Sequence, residues 1–75
     1  MWPALIKTGR VEFYDRGTAW GVIASDDGCV YVLHGRELSG APLRAGDRVA
    51  FRPEDIGRER RAAAVRRIEW TFTSR

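Results

Sequence analysis

Three aromatic side chains in the first half of the chain are candidates for a contact surface. Phe13, Trp20 and Tyr31 lie in short runs of β-forming residues, where side chains alternate between the two faces of a sheet. Rings on one exposed face of neighbouring strands could form a surface that contacts a partner. The alternative is that the rings belong to the core or are covered by a loop.

Basic side chains offer a second kind of chemistry, which is contact with anions. Lysine and arginine number 13 against 10 aspartates and glutamates, and this net charge of +3 favours polyanions. All but Lys7 are arginines, which suit phosphate contacts and stacking on bases, although a GC-rich genome, which encodes arginine often, would give the same composition. The candidates lie near the first predicted strand and in a C-terminal cluster: Lys7, Arg10, Arg16, Arg58, Arg60, Arg61, Arg66 and Arg67. The cluster could equally be a solvated loop that Glu54, Asp55 and Glu59 partly neutralise.

The residue types that catalysis and metal binding require are scarce. His34 is the only histidine and Cys29 the only cysteine, so no spacing of these residues offers the ligands of a metal site. Nucleophilic catalysis needs a base and an orienting partner, and the sequence supplies no such set. Asp26 and Asp27 belong to a turn, where short polar side chains are structural. We therefore expect no catalytic residue, no metal site and no cofactor, and we interpret His34 as a surface or stacking residue.

Length and cysteine content limit the architecture. A chain of 75 residues forms one domain with a small core. The lone Cys29 cannot form an internal disulfide, which fits a reducing cytoplasm. No apolar run approaches the roughly 20 residues of a membrane helix, and the first residues lack the layout of a signal peptide. We expect a soluble, cytoplasmic protein with no membrane partner.

Short β-forming runs separated by turn signals predict the elements that position these side chains. The runs occupy residues 9–14, 20–24, 30–33, 49–51 and 62–72. The pair Asp27-Gly28 suits a tight hairpin turn between the second and third runs. Residues 52–61, which include Pro53 and Gly57, are predicted to form a loop. Five short strands in so short a chain favour an all-β, closed antiparallel barrel, which has no exposed edges.

Alternation along the predicted hairpin assigns its side chains to two faces. We expect an inward set of Ala19, Gly21, Ile23, Val30 and Val32 and an outward set of Trp20, Val22, Tyr31 and Leu33. An exposed apolar cluster of this kind usually marks a contact surface. Strict alternation places Phe13 in the core beside Val11, so an exposed Phe13 requires a β-bulge in the first strand.

The C-terminal third of the chain has two interpretations. Residues 59–70 combine alanines and arginines, which have high helix propensity. Ile68, Trp70 and Phe72 alternate with polar residues, which is typical of a half-buried strand. We adopt the strand as the prediction.

Six short segments follow one another in a characteristic order. They are GRVEFYD at residues 9–15, TAWGVI at 18–23, DDG at 26–28, VYVLH at 30–34, LRAGDRVAF at 43–51 and AAAV at 62–65. Together they resemble the cold-shock domain, the five-stranded oligonucleotide-binding (OB-fold) barrel of bacterial cold-shock proteins and their eukaryotic relatives. TAWGVI and VYVLH are similar to the family's first and second ribonucleoprotein motifs. The likeness spans roughly residues 7–68.

The resemblance implies a function and the residues that perform it. In the family, outward aromatic residues stack with bases of single-stranded RNA or DNA, and that role carries to Phe13, Trp20 and Tyr31. His34 stands in place of a family phenylalanine, and Arg58 matches a basic residue that lies beside the nucleic acid. The resemblance also argues for the bulge that would expose Phe13. The implied activity is binding of low sequence specificity, as in an RNA chaperone or a regulator of gene expression.

Several positions depart from the family's motifs. Glu12 and Thr18 replace family lysines, Val22 replaces a phenylalanine and Leu33 a histidine. These changes remove contacts, so we expect weaker binding than in the family. They also leave open a second interpretation, a protein-interaction or regulatory module that has kept the barrel and lost most nucleic-acid binding.

We predict one domain over residues 1–75, in which residues 1–6 and 69–75 are apolar terminal extensions. Trp2, Trp70 and Phe72 give them a large apolar area for so small a chain. We expect the two segments to pack together or to pair with a second copy in a homodimer. An ordinary cap over the end of the barrel is the alternative.

Overall fold

Five strands of the described chain close into one barrel. The structure is a computed structural model that describes residues 5–38, 40 and 42–68. The strands are β1 (Lys7–Asp15), β2 (Trp20–Ser25), β3 (Val30–His34), β4 (Arg48–Ile56) and β5 (Glu59–Arg67), and a 3-10 helix (Gly35–Glu37) follows β3. Their order around the barrel is β1-β2-β3-β5-β4. The predicted five-stranded barrel is confirmed, and the β3–β5 pair that completes it is parallel, a feature the sequence did not indicate.

The core lies inside this barrel and takes one apolar stripe from each strand. The largest fully buried side chains are Val11, Ile23, Leu33, Val49, Phe51 and Val65. Val11, Gly21 and Ile23 face inward as alternation predicted. Because the outer positions of the same strands alternate with these, each strand has a second set of side chains available for contacts outside the barrel.

The predicted orientation of β3 is wrong. Tyr31 is 4% exposed and Leu33 0%, whereas Val30 is 54% exposed. The cause is the register of the β2–β3 hairpin, in which Trp20 lies opposite His34 and Ile23 opposite Tyr31. Cross-strand partners share a face, so Tyr31 follows Ile23 into the core, and a register that differs by one residue reverses the facing of a whole strand.

The predicted loop over residues 52–61 is also wrong, because β4 and β5 form a long hairpin there. Pro53 is tolerated because β4 pairs with β1 only through Phe51, so beyond that residue no second strand among the described residues requires an N–H from β4. Gly57, at φ 63°, occupies the first of the two turn positions between Ile56 and Glu59, as in a type II′ turn. The alternative helix is excluded for Glu59–Arg67, which is β5.

The described residues also bear on the terminal segments and on membrane contact. Leu5 and Ile6 are exposed, whereas Trp2, Trp70 and Phe72 lie outside the described residues, so the packing of the termini and the homodimer remain predictions. No helix in the described part of the chain has the length and apolar character needed to span a membrane. Within the same residues, no group of three or more His, Cys, Asp and Glu side chains is placed to hold a metal ion.

Candidate nucleic-acid interface

A β-bulge in β1 turns Phe13 outward. Val11 lies opposite Ile23 and Phe13 opposite Val22, so Glu12 is an extra residue on β1 with no counterpart on β2. The bulge separates Phe13 from the inward stripe that contains Val11, and Phe13 is 42% exposed. The bulge that the resemblance implied is therefore confirmed.

Trp20 lies beside Phe13 on the outer face of the barrel. It begins β2, is 40% exposed, and its ring centroid is 5.2 Å from that of Phe13 with an interplanar angle of 78°. At Gly21 the backbones of β1 and β2 are so close that a Cβ would lie 2.2 Å from the backbone oxygen of Phe13. We call these two rings the aromatic pair. Their exposed, apolar surface is what stacking on a flat ligand requires.

An aliphatic strip continues from the aromatic pair across the sheet. Val22 lies opposite Phe13 on one side and opposite Val32 on the other. Beyond this strip a groove of about 730 Å³ opens between β3 and the tip of the β4–β5 hairpin. Its lining residues are Val30, Val32, Ile56, Arg58, Glu59 and Arg60. The groove therefore combines an aliphatic floor with arginines at its rim.

His34 lies at the edge of the same face, opposite Trp20 on β3. Its Nε2 is 3.9 Å from Oε2 of Glu59, and Nη2 of Arg61 donates a 2.8 Å hydrogen bond to Oε1 of the same carboxylate. Arg61, and to a smaller extent His34, hold the pKa of Glu59 below its ordinary value. His34 is therefore next to the aromatic pair, as stacking requires, and its imidazole also lies beside a carboxylate.

Tyr31 and Lys7 lie together at one end of the barrel, away from the aromatic pair. The ring of Tyr31 packs at a tilt against Phe51, with centroids 5.0 Å apart. Nζ of Lys7 donates hydrogen bonds to Oη of Tyr31 at 3.0 Å and to Oδ2 of Asp27. The carboxylate of Asp27, followed by the hydroxyl of Tyr31, raises the pKa of Lys7. The prediction that the ring of Tyr31 faces outward is wrong, and Lys7, predicted as a phosphate ligand, is bound to Tyr31 and Asp27.

The remaining predicted cations differ in whether described residues already bind their side chains. Arg58 and Arg60 are exposed and make no salt bridge with any described residue. Arg10 and Arg16 are exposed on β1 and in the β1–β2 turn. By contrast, Arg61 is bound to Glu59, and Arg67 to the backbone oxygen of Pro42 and to Asp47. Arg66 lines a separate pocket with Ile6 and Ala50.

Acidic side chains flank the aromatic pair on the β1 side. Asp15 lies opposite Trp20, and Glu12 is the extra residue of the bulge. The carboxylate of Asp15 accepts hydrogen bonds from the N–H of Gly17 at 2.9 Å and from Oγ1 of Thr18 at 3.0 Å, which closes the β1–β2 turn. These carboxylates offset part of the positive charge of Arg10 and Arg16 on this side, so Arg58 and Arg60 define the more favourable side of the face for a polyanion.

Comparisons with known proteins agree with this architecture. No family model and no curated protein matches the chain. Among solved structures, Drosophila Unr CSD456 is similar at a TM-score of 0.76 and 11% sequence identity, over 95% of this chain and 30% of the Unr chain. The fold is that of a cold-shock domain. At this identity the likeness concerns the fold alone, and the chain spans about 30% of the length of the Unr chain.

The cold-shock barrel brings together residues that the sequence did not single out. Val30, Val32 and Ile56 form the floor of the groove, and Glu59 anchors His34 and Arg61. Ile56 could have been recognised as a contact residue, because it is an isolated apolar residue in the polar run RPEDIGRERR. Val30 could not have been recognised in this way, because a strand that is apolar at every position does not reveal which face is buried.

Proposed function

We propose that this chain is a divergent cold-shock domain that binds single-stranded RNA or DNA with little sequence preference. The observation that supports this most directly is the aromatic pair, Phe13 and Trp20, exposed on the outer face of an OB-fold barrel. Large exposed aromatic rings are costly on a small monomer unless they contact something. Every base has a π-face, so stacking on these rings tolerates any sequence.

Arginines supply the second part of the binding energy. Arg58 and Arg60, at the rim of the groove, contact the phosphates of a strand that crosses the face, with Arg10 and Arg16 as further cations on the β1 side. Bound strands cannot pair, so weak hairpins melt by mass action without ATP or covalent chemistry. This is how an RNA chaperone or a regulator of gene expression would use the domain.

The same geometry leads us to expect modest affinity. Tyr31 is in the core, Lys7 is bound to Asp27, and Glu12 adds negative charge beside Phe13. Each of these features removes or weakens a stacking or phosphate contact that the sequence analysis predicted.

Titration with a fluorescein-labelled oligothymidylate, followed by anisotropy at several salt concentrations, tests the proposal. We expect measurable binding at low salt that weakens as salt rises, with a log–log slope of about −0.7 for each phosphate contacted. A duplex of the same length should bind less well, because its bases are stacked on each other and unavailable to the rings. No binding of the single strand at low salt would overturn the proposal.

The aliphatic groove supports the second candidate, a protein-interaction module. Val30 and Ile56 are exposed there without any aromatic ring among the lining residues, and aliphatic side chains suit a peptide better than a base. The titration separates the two candidates, because only the first requires salt-dependent binding of an oligonucleotide.

For the terminal segments the prediction is a homodimer, which sedimentation velocity over a concentration series would test.

A further inference from the structure

The two rings of the aromatic pair stand almost at right angles. Their planes meet at 78° and their centroids are 5.2 Å apart, so the edge of one ring lies against the face of the other. Two independent stacking platforms would each need a free face. In this arrangement one of the faces is partly covered by the neighbouring ring.

The backbone holds the rings in this relationship. Phe13 lies opposite Val22 and Trp20 opposite Asp15, so both side chains leave the same face at adjacent positions of a tight strand pair. The approach at Gly21 is so close that a Cβ there would lie 2.8 Å from Cα of Tyr14. The pairing therefore fixes the backbone positions of the two rings close together on one face.

Among the described residues, no other ring extends the stacking surface. Phe13 and Trp20 are the only aromatic side chains among the exposed large apolar residues of the described chain. Across β2 and β3 their neighbours are Val22 and Val32, which are aliphatic. His34 is directed towards Glu59 at 3.9 Å, and its side chain is only 31% exposed.

We propose that Phe13 and Trp20 form a single corner that holds one nucleobase, which stacks on one ring while its edge meets the other. The electropositive edge of an aromatic ring favours the electronegative face of another, so both contacts of such a base are attractive. Neighbouring nucleotides then lie over the aliphatic strip and reach Arg58 and Arg60 through their phosphates. The inference rests on the proposed function and adds the number of bases that the aromatic face binds.

The ligand that fits this corner is a single strand or loop from which one base is turned out of its stack. A run of bases that remain stacked on one another would present edges, and none of its faces would reach a ring. The corner therefore selects for an unstacked base without reading its identity.

A double-mutant cycle in oligonucleotide binding tests the corner. The variants are Phe13→Leu, Trp20→Leu and the combination, each shown to be folded by circular dichroism, and the ligand is labelled oligothymidylate at low salt. Loss of either ring destroys the corner, so each single variant should bind roughly tenfold more weakly. The double variant should then bind within about threefold of the weaker single variant. Ile6→Ala changes an exposed apolar residue that lines the separate pocket beside Arg66, and this variant should bind as the wild type does.

The alternatives give different results. Two independent platforms would multiply the two losses to roughly a hundredfold, and that result would overturn the corner while leaving the proposed function intact. A wild-type protein that does not bind would overturn both. A second measurement leaves the protein unchanged and uses an oligonucleotide in which all bases but one are replaced by abasic sites. The corner requires that it bind within about threefold of the complete strand, and a loss of roughly tenfold or more would contradict it.

Discussion

Tyr31 and Lys7 meet at the end of the barrel, where Nζ of Lys7 donates a 3.0 Å hydrogen bond to the phenolic oxygen of Tyr31. The ring of Tyr31 packs against Phe51, and Lys7 is also bound to Asp27 in the β2–β3 turn. One aromatic residue thus connects the core to the polar network that closes the barrel. Tyr31 therefore stabilises the fold, although its position in the sequence resembles that of a stacking residue.

Replacing Tyr31 should separate stability from binding. Tyr31→Phe removes only the hydroxyl and should lower the free energy of unfolding by about 0.5–1.5 kcal/mol, the usual net value of one hydrogen bond. Tyr31→Leu removes the ring and should cost more, about 1–3 kcal/mol, because Leu does not fill the same space beside Phe51. Urea denaturation measures both changes. Oligonucleotide affinity of the folded Tyr31→Leu variant should equal that of the wild type, and a large loss would show that the ring contacts the ligand.

A side chain at Gly21 should disrupt both the fold and the aromatic pair. The added Cβ of Gly21→Ala would lie 2.2 Å from the backbone oxygen of Phe13, so β1 and β2 must separate. We expect destabilisation of at least about 1–3 kcal/mol, the usual cost of overpacking, together with weaker oligonucleotide binding. Gly17→Ala is the matched control, because its Cβ would meet nothing closer than 3.4 Å. Equal thermal stability of the two variants would contradict this account.

The barrel was predictable from the sequence because local signals agreed with one another. Alternation identified Val11 and Ile23 as core residues, and the turn signal at Gly28 is confirmed by its φ of 95°. The facing of β3 was not predictable in this way, because every residue from Val30 to Leu33 is apolar. Its facing depends on the length of the turn, where the N–H of Ser25 donates to the oxygen of Cys29 at 2.8 Å. Counting Cys29 as part of the turn sets the correct register.

The candidate site was partly predictable for a different reason. Trp20 faces outward by simple alternation, whereas Phe13 does so only because of the bulge at Glu12, which no local rule indicated. Lys7 was a reasonable phosphate ligand by charge, but its ion pair with Asp27 joins residues 20 positions apart in the chain. This pair follows from the β1–β2 register, in which Gly9 lies opposite Ser25, and is not encoded near either residue.

Acid should weaken the closed end of the barrel. The guanidinium of Arg48 and the hydroxyl of Thr8 hold the pKa of Asp26 well below its usual range, and the ammonium of Lys7 and the N–H of Cys29 do the same for Asp27. A carboxyl whose pKa is lowered on folding contributes stability above its unfolded value, about 3.9, and loses it as pH falls towards the folded value. The thermal midpoint should therefore fall steadily below about pH 4.

The double variant Asp26→Asn/Asp27→Asn tests the source of this acid dependence. It should melt below the wild type at neutral pH, and the difference should shrink as pH falls from about 4 to 2, because the wild-type carboxyls lose their charge there. Asp55→Asn is the control, since Asp55 is exposed and makes no salt bridge with a described residue. A difference that stays constant across this range would place the acid sensitivity elsewhere.

The arginines at the rim of the groove should determine the salt dependence of binding. Arg58 and Arg60 are exposed and have no acidic partner among the described residues, so their charge is available to phosphate. Each phosphate contact contributes about 0.7 to the log–log salt slope for a single strand, so Arg58→Ala/Arg60→Ala should reduce the slope by about 1.4. Arg52→Ala changes charge on the same hairpin and should leave the slope unchanged, because Nη2 of Arg52 is 2.9 Å from Oε2 of Glu54. If both variants reduce the slope equally, binding depends on net charge, and the groove has no special part in it.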